Sequence, residues 1–188
     1  YSEGAHPEIL KLLLDTNSVQ QAGYGEDSFS LKAANLIRRE VGNDKAHVHF
    51  VSAGTQANFI VLASILRPHE SVIAADTAHI SVHEAGAVEA TGHRINAVPN
   101  KDGKITIRDI ETVLETHVNE HMVKPKVVFI SQSTEVGTIY SLYELESISR
   151  FCKEKALYLY VDGARLGSAL ASIKSDVTLA DIARLVDA

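Results

Sequence analysis

Leu157-Tyr158-Leu159-Tyr160-Val161 runs directly into Asp162-Gly163-Ala164-Arg165. The first five residues are apolar or aromatic without a break, which predicts a strand buried on both faces. It ends abruptly in an acid, a glycine, a small residue and an arginine. In an open α/β sheet, ligands bind just beyond the carboxyl ends of the strands. An aspartate at such an end can hold a cationic partner, and an arginine three residues on can hold an anion.

Upstream, strand and helix patterns alternate. Strands are expected over 47–52, 71–75, 94–98, 126–130 and 157–161. Helices are expected over 8–14, 29–41, from the turn at 52–58 to Leu66, then over 82–91, 107–120 and 142–155. Pro7 opens the first helix, and Asp27 or Ser28 caps the second. Gly92 stops the helix over 82–91, and Pro125 breaks the chain before the fourth strand. Alternation of this kind predicts an α/β fold with a doubly wound, mostly parallel sheet and helices on both faces.

Several polar groups then converge on one edge. Ser52-Ala53-Gly54-Thr55 is a small, hydroxyl-bearing turn at a helix start, where free N–H groups and the helix dipole suit a phosphate. Thr55 is equally readable as a simple helix cap. His79 follows the second strand, where an imidazole can stack on a flat cofactor or move a proton. His83 and Glu84 lie one turn on; read alone, His83 is a helix-start residue bonded to backbone. Ser131-Gln132-Ser133-Thr134-Glu135 leaves the fourth strand, and Asp162 and Arg165 leave the fifth. Together these describe a site for a flat, cationic, phosphorylated cofactor and an anionic substrate.

Composition narrows the class. The chain has 188 residues, 45 % hydrophobic, a net charge of −6 and no long basic run, so a nucleic-acid partner is not favoured. Cys152 is the single cysteine; it reads as a packed helix thiol, and a reducing, cytoplasmic compartment is the simplest expectation. No apolar run approaches the ~18 residues of a membrane span, and the polar N-terminus lacks a signal-peptide pattern. There is no Walker loop and no G-x-G-x-x-G. No histidine pair has metal-ligand spacing, so no metal is expected.

The motifs Ser52-Ala53-Gly54-Thr55-Gln56-Ala57-Asn58, Ala78-His79 with Glu84-Ala85-Gly86, and Val161-Asp162-Gly163-Ala164-Arg165 resemble the low-specificity L-threonine aldolases. These belong to the β-eliminating lyase group of pyridoxal-phosphate enzymes, with the aspartate-aminotransferase-like fold. Gly23-Tyr24-Gly25-Glu26-Asp27 is similar to that family's early loop. The resemblance implies retro-aldol cleavage of L-threonine, L-allo-threonine and related 3-hydroxy-α-amino acids to glycine and an aldehyde. It implies that Asp162 pairs with the pyridine nitrogen, that Gly54 and Thr55 hold the phosphate, and that His79 stacks on the ring. It implies that Ser2 and Arg165 bind the substrate carboxylate, with His79, His83 or a water as base. A homodimer or homotetramer is expected on the same ground.

Two departures stand out. Glu135 occupies a position where better-known members carry a histidine. The family's Schiff-base lysine follows the next strand, and no lysine here has that context. Residues 1–26 are accordingly expected to be an N-terminal arm and loop. Residues 27–188 are expected to be a cofactor-binding large domain that stops before that lysine and the small C-terminal domain, inactive by itself. Another lyase or an aminotransferase of the same cofactor group is the competing enzyme reading. A non-catalytic assembly module retaining the fold is the competing reading from another class.

Overall fold

In the structure, a computed structural model that describes residues 3–188, four parallel strands form one sheet. They are β1 (Glu70–Ala75), β2 (Arg94–Val98), β3 (Lys124–Ser131) and β4 (Tyr158–Asp162), in the spatial order β2-β1-β3-β4. Every residue of β1 is buried, and β3 is buried from Val127 onward. These are the two central strands, and their unbroken apolar runs are what a sheet covered on both faces requires. Val72, Ile73, Val127, Val128, Phe129 and Leu159 form the centre of the core.

Eight α-helices accompany the sheet among the described residues: α1 (Pro7–Thr16), α2 (Ser28–Glu40), α3 (Gly54–Ile65), α4 (His79–Val82), α5 (Ile107–Thr116), α6 (Leu142–Glu154), α7 (Leu166–Leu170) and α8 (Leu179–Leu185). Their starts follow from local chemistry. Asp27 caps α2 by accepting from the Ser30 N–H at 2.8 Å. Thr106 with Asp109, Ser141 with Glu144 and Thr178 with Asp181 form reciprocal capping boxes on α5, α6 and α8, each satisfying two otherwise orphaned N–H donors.

Three expectations need correction. Residues 47–52 form no strand: Phe50 and Val51 are 53 % and 44 % exposed, and no described strand lies alongside to complete a ladder. The alternating pattern there supplies a strand face without a neighbour to pair with. The helix expected over 82–91 divides into α4, a turn through Glu84–Ala85–Gly86, and a single 3-10 turn over Glu89–Thr91. Ala85 and Gly86 both have positive φ, 50° and 78°, and that left-handed pair keeps the helix from continuing past the turn. Pro125 does not precede β3 but lies within it, opposite Ser71, where the register to β1 shifts between Ser71 and Val72. A proline has no N–H for the ladder, so it is accommodated at such a bulge.

The order β2-β1-β3-β4 places the reversal of winding between β1 and β3. The crevice beyond the carboxyl ends at that reversal is the ligand position of an open α/β sheet. Register sharpens this: Ser131 of β3 lies opposite Asp162 of β4, and the Gln132 N–H donates to the Asp162 carbonyl at 3.0 Å. Two polar strand exits therefore start side by side.

Candidate active site

One cleft of about 290 Å³ is lined by Gly54, Thr55, Asn58, His79, Glu84, Asp162, Ala164 and Arg165. These come from three separate parts of the chain. Gly54, Thr55 and Asn58 are in the first turns of α3; His79 begins α4 after β1, with Glu84 in the turn beyond it; Asp162 ends β4 and Arg165 follows it. Gly54, Thr55, His79, Asp162 and Arg165, all expected at one edge, thus share one cavity, whereas the expected exit Ser131-Gln132-Ser133-Thr134-Glu135 does not line it. His83 is drawn in beside them, its ring centroid 5.4 Å from that of His79. It is exposed and does not line the cleft. Ser2 lies outside the described residues.

α3 opens on Ala53, which has no side-chain oxygen to cap the helix. The first backbone return is from Ala57 N–H to Ala53 O, so the N–H groups of Gly54, Thr55 and Gln56 have no helical acceptor. Gln56 turns back instead, its Oε1 accepting from the Ser52 N–H (2.9 Å) and hydroxyl (2.7 Å). The turn is held, while the N–H groups at the cleft wall remain available to an anion.

The residues at and after the end of β4 carry charge. Asp162 Oδ1 accepts from the Ala164 N–H at 2.9 Å, the one side-chain hydrogen bond of this carboxylate among the described residues. Arg165 Nη2 meets Glu135 Oε1 at 2.9 Å, and its Nε donates to the Ser133 carbonyl at 3.2 Å. Glu135 Oε1 also accepts from the Ser131 hydroxyl (2.8 Å) and the His79 N–H (3.3 Å). The side chains of Glu135 and Arg165 are only 11 % and 22 % exposed, so this pair is shielded from solvent.

A second, more deeply buried network reaches His79 from behind. The Tyr160 hydroxyl donates to Asn58 Oδ1 (2.7 Å), Asn58 Nδ2 donates to Glu84 Oε1 (2.6 Å), and that oxygen lies 2.9 Å from His79 Nδ1. The Glu84 side chain has no solvent exposure, and its Oε2 is buried without a partner among the described residues. Burial raises the pKa of the Tyr160 phenol, with Asp162 and Glu84 adding to the shift, so it serves as a neutral O–H donor. Sequence reasoning assigns Asn58 and Glu84 no role of their own. An amide inside Ala57-Asn58-Phe59-Ile60-Val61-Leu62 was the available signal, because a polar side chain on an apolar helix face needs a buried partner.

Other polar features are accounted for locally. A hollow of about 310 Å³ lined by Tyr140 and Tyr143 has polar groups that are engaged locally: Lys104 Nζ with Glu144 at 2.9 Å, and the Tyr140 hydroxyl with the Ile105 N–H at 2.8 Å. Cys152 is buried in α6, and burial pushes its thiol up to about 12, which keeps it protonated and unreactive. No group of three or more His, Cys, Asp or Glu among the described residues could hold a metal ion, and no helix there is long and apolar enough to cross a membrane.

Comparison with known proteins agrees with the geometry. The family model for beta-eliminating lyases matches residues 8–188. A low-specificity L-threonine aldolase from Pseudomonas aeruginosa is 35 % identical over 170 residues, 89 % of this chain and 49 % of that protein. The corresponding enzyme from Saccharomyces cerevisiae is 27 % identical over 183 residues, 96 % of this chain and 46 % of its own. The chain thus spans about half the length of the curated relatives it matches. A solved structure of threonine aldolase from Leishmania major superposes with a TM-score of 0.98 at 55 % identity, covering 100 % of this chain and 55 % of that one. With the strand order, the cleft at the winding reversal and these matches in agreement, the chain belongs to the beta-eliminating lyase family.

Proposed function

We propose that the protein is a pyridoxal-phosphate-dependent aldolase that cleaves L-threonine, L-allo-threonine and related 3-hydroxy-α-amino acids to glycine and an aldehyde. The observation that carries this reading is the single cleft in which an uncapped helix start, an aspartate, a histidine and an arginine meet. The donor set fits pyridoxal phosphate: anion-binding N–H groups at a helix start, a carboxylate at a strand end and an imidazole line the same cleft.

The roles follow from the chemistry of each group. Gly54 and Thr55 bind the phosphate through backbone N–H groups and the threonine hydroxyl. Asp162 is the counter-ion for the protonated ring nitrogen. When bound, pyridoxal phosphate supplies an electron sink for the pair released at the α-carbon. Arg165 holds the substrate carboxylate, with Ser2 assigned to the same task. His79 stacks on the ring and takes the proton of the substrate's 3-hydroxyl, with His83 beside it as the other candidate base. Loss of that proton lets the Cα–Cβ bond break and the aldehyde depart.

No lysine is among the residues that line the cleft. We also propose that residues 27–188 form the large cofactor-binding domain, and that residues 1–26 are an arm that α1 stiffens. A homodimer or homotetramer is part of the same proposal. Its support is α1, which buries none of its residues and leaves Ile9, Leu10, Leu12, Leu13 and Leu14 between 50 % and 79 % exposed, a contiguous apolar face of the kind that associates. A cytoplasmic location is proposed on the strength of a single, buried thiol.

The test is product analysis of the full-length protein with L-threonine and added pyridoxal phosphate. Glycine and acetaldehyde are expected. Ammonia with a keto acid identifies a different lyase, and no turnover with either favours the assembly-module reading.

A further inference from the structure

We propose that Glu84, clamped by Asn58 and Tyr160, is a positioning residue that fixes His79 as its Nδ1–H tautomer and leaves Nε2 as the proton acceptor. This deepens the aldolase reading and rests on it for the role of His79. Hydrogen-bond logic fixes each link in turn. A carboxylate only accepts, so the 2.9 Å contact to Glu84 Oε1 requires the hydrogen to sit on His79 Nδ1. A neutral imidazole with its hydrogen on Nδ1 carries its lone pair on Nε2.

The carboxylate is itself held. Asn58 Nδ2 donates to the same Oε1 at 2.6 Å. The amide cannot be turned over, because its carbonyl would then face the carboxylate. Asn58 Oδ1 is engaged by the Tyr160 hydroxyl at 2.7 Å. Tyr160 belongs to β4 and Asn58 to α3, so the clamp ties the imidazole to the two elements that carry Asp162 and Gly54-Thr55. Asn58 and Tyr160 are 3 % and 7 % exposed and the Glu84 side chain is not exposed, so water does not compete for these bonds. Ala85, with φ 50°, follows Glu84 directly and turns the chain after the carboxylate.

The decisive measurement is the tautomer of His79 in full-length protein free of cofactor, read from imidazole 15N shifts assigned with His79→Gln. Wild type is expected in the Nδ1–H form. Glu84→Gln retains it, because the Gln carbonyl accepts the same hydrogen bond. Glu84→Ala shifts the population toward Nε2–H. In the loaded enzyme, Glu84→Ala is expected to lower kcat by roughly 10–100-fold, the scale seen when a histidine loses its orienting partner, with KM within about twofold, and Glu84→Gln is expected to recover most of the rate. A wild-type His79 in the Nε2–H form overturns the proposal, as does an Nδ1–H population untouched by Glu84→Ala. Should Glu84→Ala not fold, the wild-type tautomer still decides. Absence of aldolase turnover sinks the functional reading instead, and leaves the tautomer to be judged on its own measurement.

Discussion

Glu135→Gln is the most informative single change at the cleft. Glu135 Oε1 collects three donors: the Ser131 hydroxyl, the His79 N–H and the Arg165 guanidinium. Glutamine keeps an oxygen for the first two and removes the charge facing the third. At 2.9 Å and an effective dielectric near 20, the pair's Coulomb attraction is roughly 6 kcal/mol before desolvation. Desolvation and residual solvent reduce the net value. It should fall between exposed pairs, worth about 0–1 kcal/mol, and buried pairs that lose a partner, which cost about 3–5 kcal/mol. With side-chain exposures of 11 % and 22 %, a net of about 1–2 kcal/mol follows. On the proposed role of Arg165, an arriving substrate carboxylate would compete with Glu135 for the same guanidinium. Removing the competitor is expected to lower KM for L-threonine by about 5–30-fold, with kcat little changed because the gain is shared by ground and transition states. The Nε bond to the Ser133 carbonyl keeps the guanidinium in place in the variant. Steady-state assays with coupled aldehyde detection read both constants. An unchanged or raised KM refutes the competition and makes Glu135 a support for Arg165 instead.

Asp162→Ala in the full-length protein is expected to abolish cleavage and weaken cofactor retention on dialysis, whereas Asp162→Glu retains the charge and part of the activity; a fully active alanine variant contradicts the assignment. Gly103→Ala is expected to destabilise the fold. Its Cβ would lie 2.7 Å from Thr134 Oγ1 at a φ of +80°, an overpacking and backbone penalty of roughly 2–4 kcal/mol, read as a fall in Tm of several degrees. The cap on α2 gives a pH dependence. The hydrogen bonds from Ser30 hold the Asp27 carboxyl below its ordinary value, so its contribution is present above the unfolded pKa and is lost as pH falls through the folded one. Comparing wild type with Asp27→Ala by thermal melts should give a gap near neutrality that closes in acid.

Much of the sheet was readable because β1, β3 and β4 are buried on both faces and therefore written as uninterrupted apolar runs. The segment 47–52 shows the opposite situation: its alternation was genuine, but pairing depends on a neighbouring strand that no local pattern reports. α8 escaped notice although Thr178 and Asp181 spell a capping box, because its apolar face is only two turns long. At the cleft, residues with obvious chemistry (His79, Asp162, Arg165) could be placed by their position after strands. Asn58, Glu84 and Tyr160 could not, since their importance lies in one another, across sequence separations of 26 and 102 residues.

The alignment of Ser131 with Asp162 carries a consequence for how this fold tolerates change. Side chains alternate faces along a strand, so a slip of one position between these neighbours would turn the Asp162 carboxylate toward the far side of the sheet and move the two exits apart by about 3.3 Å. Gln132 works as a peg against that slip: its amide both donates to the Tyr140 carbonyl (3.0 Å) and accepts from the Tyr140 N–H (2.9 Å), while its own N–H is pinned to Asp162. Insertions are thus absorbed in the outer helices and loops, whereas a single added residue within β3 or β4 would dismantle the cleft while leaving the hydrophobic interior largely intact.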